Sequence, residues 1–348
     1  MPLTSRITKR FKFGKMLYSI RKIWHPEIYQ GKTKRKNYFE GWFFKIVDQS
    51  MENVLAVIPG IFRGADPVDS HAFIQVLNGR TLDSHNHKFP LKDFRASDVR
   101  FEIQIGPNFF SLDKIILDIK TARQTISGEL NFSNVKPWPV SLISPGIMGW
   151  YAFVPFMECY HGVLSLDHTL KGEMVVDGKK TDFSGGRGYI EKDWGKSFPE
   201  AYIWIQSNHF KKKGLSLMVS VAKIPWLNGS FRGFLIGLLW DGELIRFTTY
   251  NGSLLNYLRI SEQTIDLEAQ NKDYLLKITA TRKTGGKLYA PSENQMQRRL
   301  SETLVSEVSF ELFRLKEKNR QPILAGSGII AGLDVYGKLS EITETDAS

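Results

Sequence analysis

The chain has 348 residues, 42% of them hydrophobic, 24% charged and 12% aromatic, with a formal net charge of +11. That length allows two domains or one large one with a sizeable core, and the composition excludes a disordered or fibrous chain. The lone Cys159 excludes an internal disulfide framework, and residues 137–157, the longest uncharged run, carry too many Pro and Gly for a membrane-spanning helix.

The first predicted element is basic. Residues 1–36 hold eleven Lys or Arg against one acid, Glu27, while the remainder holds 36 bases and 35 acids. A general nucleic-acid surface is therefore not indicated. Phe13, Met16, Leu17, Ile20, Ile23 and Trp24 recur at helical spacing, with Lys12, Lys15, Arg21 and Lys22 mostly on other faces. The pattern predicts a short amphipathic helix, suited to an anionic membrane interface or to a barrel mouth. No clean apolar stretch with a cleavage site follows the first charges, so a signal peptide is not expected. The expected location is cytoplasmic, with peripheral membrane contact.

After residue 36 the pattern is β. Period-two or apolar β-rich runs recur from residues 42–47 to 323–334, separated by Gly, Asn-Gly and Asp-Gly turns. Many short strands argue for barrels or sandwiches. Asp241-Gly242 between two apolar runs is a two-residue hairpin signal. No internal repeat is visible. The Gly cluster at 178–188 marks a candidate junction. The division expected is a basic segment at 1–36, a first barrel at 37–183 and a second at 184–348.

Within residues 40–46, a strand puts Glu40, Trp42 and Phe44 on one face and Gly41, Phe43 and Lys45 on the other. A buried Glu40 must be paired or neutral. In residues 149–151, a Gly lets the backbone approach closely while Trp150 and Tyr151 wall a cavity. Glu158 and His161 follow three apart. The densest stretch is 185–210, GGRGYIEKDWGKSFPEAYIWIQSNHF, with Glu191, Asp193 and Glu200 among Tyr189, Trp194, Phe198, Tyr202 and Trp204. Carboxyls in an apolar setting take up protons more readily and can act as acids near neutral pH. Gln206 and Asn208 share a strand face with Trp204.

Other constellations carry less. The Gly-rich 184–188 lacks a P-loop ending, and there is no GxSxG elbow or HExxH pair. His85 and His87 sit in a polar stretch without further spaced ligands, so they are expected to face solvent, and no metal site is predicted.

Five blocks in order resemble the tocopherol cyclase family. They are NYFEGWFFKIV (37–47), PGIMGWYAFVPFMECYHGVLS (145–165), EKDWG with a following Phe-Pro (191–199), FRGFLIGLLWDGELIRFTTYNG (231–252) and LYAPSENQ (288–295). Asp193 departs from the plant-type pattern, which has Asn there. The resemblance implies two lipocalin-like barrels side by side. It also implies conversion of a prenylated hydroquinone to a chromanol: an acid protonates the alkene, and the phenol oxygen captures the tertiary cation. No electrons move, so no redox cofactor is implied. The donor implied is Glu191 or Asp193, with Glu40 next. Trp42, Trp150, Trp194 and Trp204 are expected to line one apolar pocket, with Tyr151, Glu158, His161, Gln206 and Asn208 completing the substrate site. The partner is a hydrophobic prenylated small molecule. A non-catalytic carrier of isoprenoid lipids and a hydratase, in which water captures the cation, are the competing readings.

Overall fold

The computed structural model describes residue 18 and residues 20–292, 295–317 and 321–343, with the backbone alone at 298 and 299. Two kinds of strand appear in it. In Thr264–Gln270 the buried Ile265, Leu267 and Ala269 alternate with half-buried residues, and Tyr274–Thr281 buries Leu276, Ile278 and Ala280 in the same way. Such strands give one face to a core and the other to water. Tyr38–Val47 and Ala201–Ser207, by contrast, are buried at nearly every residue. A strand buried on both faces needs a layer on each side, which is why these two are mostly apolar and aromatic on both faces.

Among the described residues the strands form two antiparallel sheets, of twelve and eleven strands. The first runs through Ser84–Phe89, His71–Asn78, Val54–Arg63, Tyr38–Val47, Arg187–Gly195, Cys159–Val176 and Thr125–Ser133 to the strands of residues 94–120. The second runs from Glu243–Thr248 through Gly229–Trp240, Ser216–Trp226, Ala201–Ser207, Leu324–Gly337 and Met296–Arg314 to Leu254–Ile260. Each sheet wraps its own core. Phe44, Phe110 and Ile190 belong to the first, and Ile205, Leu238 and Phe310 to the second. The fold is thus all-β, two lipocalin-like barrels side by side. The Asp241-Gly242 hairpin forms as expected: Trp240 pairs with Glu243, and both turn residues have positive φ, 49° and 85°.

The junction lies later than the sequence suggests. Arg187–Gly195 pairs with both Tyr38–Val47 and Cys159–Val176, so it is a central strand of the first sheet. The chain changes sheets at residues 196–200, not at 183/184. Gly186 and Gly188 serve close packing instead: a Cβ on Gly186 would lie 2.2 Å from the Val47 carbonyl oxygen, and one on Gly188 2.2 Å from His168 Nε2. His87 also departs from expectation. It turns inward, and its Nε2 lies 3.0 Å from Gln124 Oε1.

Most of the predicted N-terminal helix, including Phe13, Met16 and Leu17, lies outside the described residues. Tyr18, Ile20 and Arg21 are helical. The chain that follows covers one end of the first barrel, where the Gln30 amide donates to Glu40 at 2.9 Å and the Trp42 indole donates to the Glu27 carbonyl at 3.4 Å. No described helix is long and apolar enough to cross a membrane.

Candidate active site between the barrels

The pleat decides which side chains face the other barrel. On Tyr38–Val47 these are Phe39, Gly41 and Phe43. Gly41 stands opposite Asp193, which stands opposite His161, and Phe43 stands opposite Glu191. The second sheet answers with Trp204, which lies between Ser220 and Asp334. A cavity of roughly 190 Å3 separates these two surfaces, lined mainly by apolar groups such as Phe73, Met157, Phe198, Phe234 and Leu300. The candidate site is therefore between the barrels. It is not the interior of either one.

Glu191 is 5% exposed, and its Oε2 accepts the Tyr189 hydroxyl at 2.6 Å and the Trp204 indole N–H at 2.9 Å. His161 Nε2 stands 3.6 Å from that oxygen, and His161 Nδ1 is 2.8 Å from Asp193 Oδ1. Burial raises the Glu191 carboxyl to about 7; His161 opposes the shift, as do the hydrogen bonds from Tyr189 and Trp204, while Asp193 adds to it. Burial alone would lower His161, but the charges of Asp193 and Glu191 outweigh it and raise the imidazole to about 9. Burial thus favours the neutral form of the Glu191 carboxyl, while the two neighbouring carboxyls favour the protonated form of His161.

Ligand atoms of His161, Glu191 and Asp193 lie within 4.8 Å of one another, so the trio has the spacing of a metal centre. The same trio is hydrogen-bonded as a proton relay, with His161 Nδ1 on Asp193 and two donors on Glu191 Oε2, while His161 Nε2 has no hydrogen-bond partner among the described residues.

Of the residues expected in the site, Glu191, Asp193, His161, Tyr151 and Trp204 line the cavity. Glu40, Trp42 and Trp194 do not. Even-numbered residues of these two strands face the first barrel's own interior. There Lys192 Nζ is 2.7 Å from Glu40 Oε1 and stands 4.9 and 4.7 Å from the Trp42 and Trp194 ring centres. The expected single pocket of four tryptophans is thus overturned. Trp150 is 44% exposed and stacks on Tyr151 outside the cavity. The Gly149 backbone behind this pair, at φ 56°, leaves room for Tyr250, whose ring would lie 2.5 Å from any Cβ there. Glu158 accepts from Ser197 away from the lining. Gln206 and Asn208 also lie outside it. Gln206 accepts from Lys45 through its carbonyl, and Asn208 donates to Asp167 and to the Gly188 carbonyl, each at 2.9 Å.

Two lining acids escaped the sequence reading, Glu302 and Asp334. Asp334 stands in the apolar run of Leu324–Gly337, and that isolation was its only local signal. Glu302 sits among polar neighbours and carries none.

Comparison with known proteins bears on this arrangement. The model of the family "Tocopherol cyclase-like" matches residues 111–337. A chloroplastic tocopherol cyclase of Zea mays is 27% identical over 199 residues, 54% of this chain and 41% of that protein. A probable chloroplastic tocopherol cyclase of Oryza sativa subsp. japonica is 26% identical over 178 residues, 50% of this chain and 37% of that protein. The matched stretch thus spans less than half of either plant protein. Among solved structures, CghA with Sch210972 superposes with a TM-score of 0.56 at 10% identity, over 86% of this chain and 89% of that one, a likeness of fold.

Proposed function

This chain belongs to the tocopherol cyclase-like family, and we propose that it catalyses proton-initiated cyclisation of a prenylated hydroquinone to a chromanol in the cavity between its barrels. The carrying observation is Glu191, a buried carboxyl that lines an apolar chamber, accepts from Tyr189 and Trp204 and is raised by its burial. The chemistry asks for an acid at the alkene and a base at the phenol, because the proton gained by carbon equals the proton lost by oxygen. A group whose proton affinity lies near ambient pH serves such exchange best. An apolar lining keeps out water that would trap the cation, and the faces of Trp204, Tyr202 and Phe43 can stabilise it as it forms.

Incubation with a hydroquinone bearing an ortho prenyl chain, followed by mass spectrometry, tests the reading. The expected product has the mass of the substrate and lacks the alkene. A product heavier by one water supports the hydratase reading instead, and recovery of unchanged bound lipid supports the carrier.

An apolar substrate also needs a way in, and the rim suggests a membrane. Leu142, Ile143, Trp150, Phe153 and Phe156 are all exposed, next to the lining residues Tyr151 and Met157. The basic N-terminal stretch joins this rim through Trp24, whose ring meets Phe153 at 5.6 Å and whose indole donates to the Leu142 carbonyl. Apolar side chains beside clustered Lys and Arg suit an anionic surface. We expect the chain to co-sediment with anionic vesicles, less so in high salt. Ile143→Ser with Phe153→Ser should weaken binding several-fold. Equal partitioning of the two proteins would count against this rim.

A further inference from the structure

The wall opposite Glu191 holds a second pair of acids. Glu302 lies on Met296–Arg314 and Asp334 on the neighbouring Leu324–Gly337, and both line the cavity. Asp334, 4% exposed, accepts the Tyr202 hydroxyl at 2.7 Å. Glu302 is 6% exposed, and its Oε1 is buried without a hydrogen-bond partner among the described residues. Lys45, whose charge acts on Glu302 and whose ammonium burial lowers to about 7 against the pull of Glu302 and Glu191, donates to the Ile330 carbonyl at 3.0 Å and to the Gln206 carbonyl at 3.4 Å. An ionised carboxylate with an orphaned oxygen in an apolar wall beside another acid costs far more than the neutral acid does. Burial, reinforced by Asp334 and Glu191 and opposed by Lys45, holds this carboxyl well above the ordinary range.

We propose that Glu302 is the acid that protonates the substrate alkene, leaving Glu191 as the base that takes up the phenol proton; this rests on the cyclisation reading above. The Glu302 O–H bond breaks as a C–H bond forms at the alkene carbon nearer the ring. The phenol oxygen closes a C–O bond on the tertiary cation, and its proton passes to the Glu191 carboxylate beside His161. Nothing is oxidised or reduced. After product leaves, one proton moves from Glu191 to Glu302 across the same cavity and the acid is restored. The division follows from environment. Glu302 Oε1 has no donor among the described residues, while Glu191 Oε2 has two and a histidine nearby. The substrate would bridge the sheets, with its phenol toward the first barrel and its alkene toward the second.

Three measurements on the full chain test it: tryptophan quenching by an ortho-prenylated hydroquinone, its conversion to the isomeric ether, and the infrared carbonyl band of a neutral carboxyl at neutral pH. Glu302→Gln should still bind and quench, lose a neutral-carboxyl band, and cyclise at least about a hundredfold more slowly, the usual scale for an acid–base group. Glu302→Asp, which keeps the acid but withdraws it by one methylene, should fall between wild type and Glu302→Gln. Cyclisation by Glu302→Gln at the wild-type rate overturns the proposal and leaves the cyclase reading standing. Wild type that shows the band and binds but forms no ether rejects the cyclase reading and the acid role together. An infrared band unchanged in Glu302→Gln also overturns it, because the proton then resides elsewhere.

Discussion

Glu191→Gln is expected to lower cyclisation by about two to four orders of magnitude, the span usual for loss of a general acid–base group. The amide is nearly isosteric. Its oxygen still accepts from Tyr189 and Trp204, so the fold and the Trp204 contact survive. What disappears is the exchangeable proton beside His161. With Glu191 as base, the wild-type rate should climb with pH through about 7, where its proton leaves, and the variant should lack that limb. Stability supplies a second readout. The native carboxyl holds its proton to about 7 while the unfolded chain releases it near 4.5, so wild type loses stability as pH rises through that window. The loss approaches about 3 kcal/mol at 1.36 kcal/mol per unit of pKa, and Glu191→Gln should be flatter by that amount in urea titrations across the window. A variant that retains both the pH limb and the wild-type slope would remove Glu191 from the proton path.

What the sequence disclosed, and what it hid, follows from which strands are buried on two sides. The aromatic runs of Tyr38–Val47 and Ala201–Ser207 were legible as strands, and the order of blocks pointed to the family and to paired barrels. Period two correctly grouped Glu40 with Trp42 and separated them from Gly41 and Phe43. It cannot say which group meets the ligand when both faces are buried. The face with the acid and the indole turned out to be the sealed one. The side that faces the cavity is Phe39, Gly41 and Phe43, whose small central residue leaves room between the barrels. The Glu191–Asp193 pair was found because its aromatic neighbours are local in sequence. Glu302 reaches the same cavity from a strand more than a hundred residues later, in a polar context, and nothing local marks it. Trp150 and Tyr151 are adjacent in sequence and their rings stack, yet only Tyr151 lines the cavity, because Trp150 is the outer ring of the stack and is left exposed at the rim.

Glu40→Gln is expected to destabilise the protein by about 3–5 kcal/mol, the cost of removing one partner from a buried ion pair. Glu40 and Lys192 are both fully buried, 2.7 Å apart. The carboxylate also accepts the Gln30 amide and the Tyr38 hydroxyl, and the ammonium donates to the carbonyls of Pro26 and Ile28. The pair thus ties the two neighbouring strands to the N-terminal segment across the end of the first barrel. Burial pulls the Lys192 ammonium below its ordinary value and Glu40 opposes that pull, so neutralising Glu40 leaves a charge with carbonyls and indole faces alone. Glu40→Gln with Lys192→Met should recover much of the loss, since the double change leaves no unpaired charge. Urea midpoints of the two single variants, the double variant and wild type give the coupling directly. Activity per folded molecule should change little in Glu40→Gln, because that side chain faces the first barrel's interior and the cavity lies on the other side of the strand. Unchanged stability, or a large fall in turnover from fully folded Glu40→Gln, would return Glu40 to the list of reacting groups and take it off the list of structural ones.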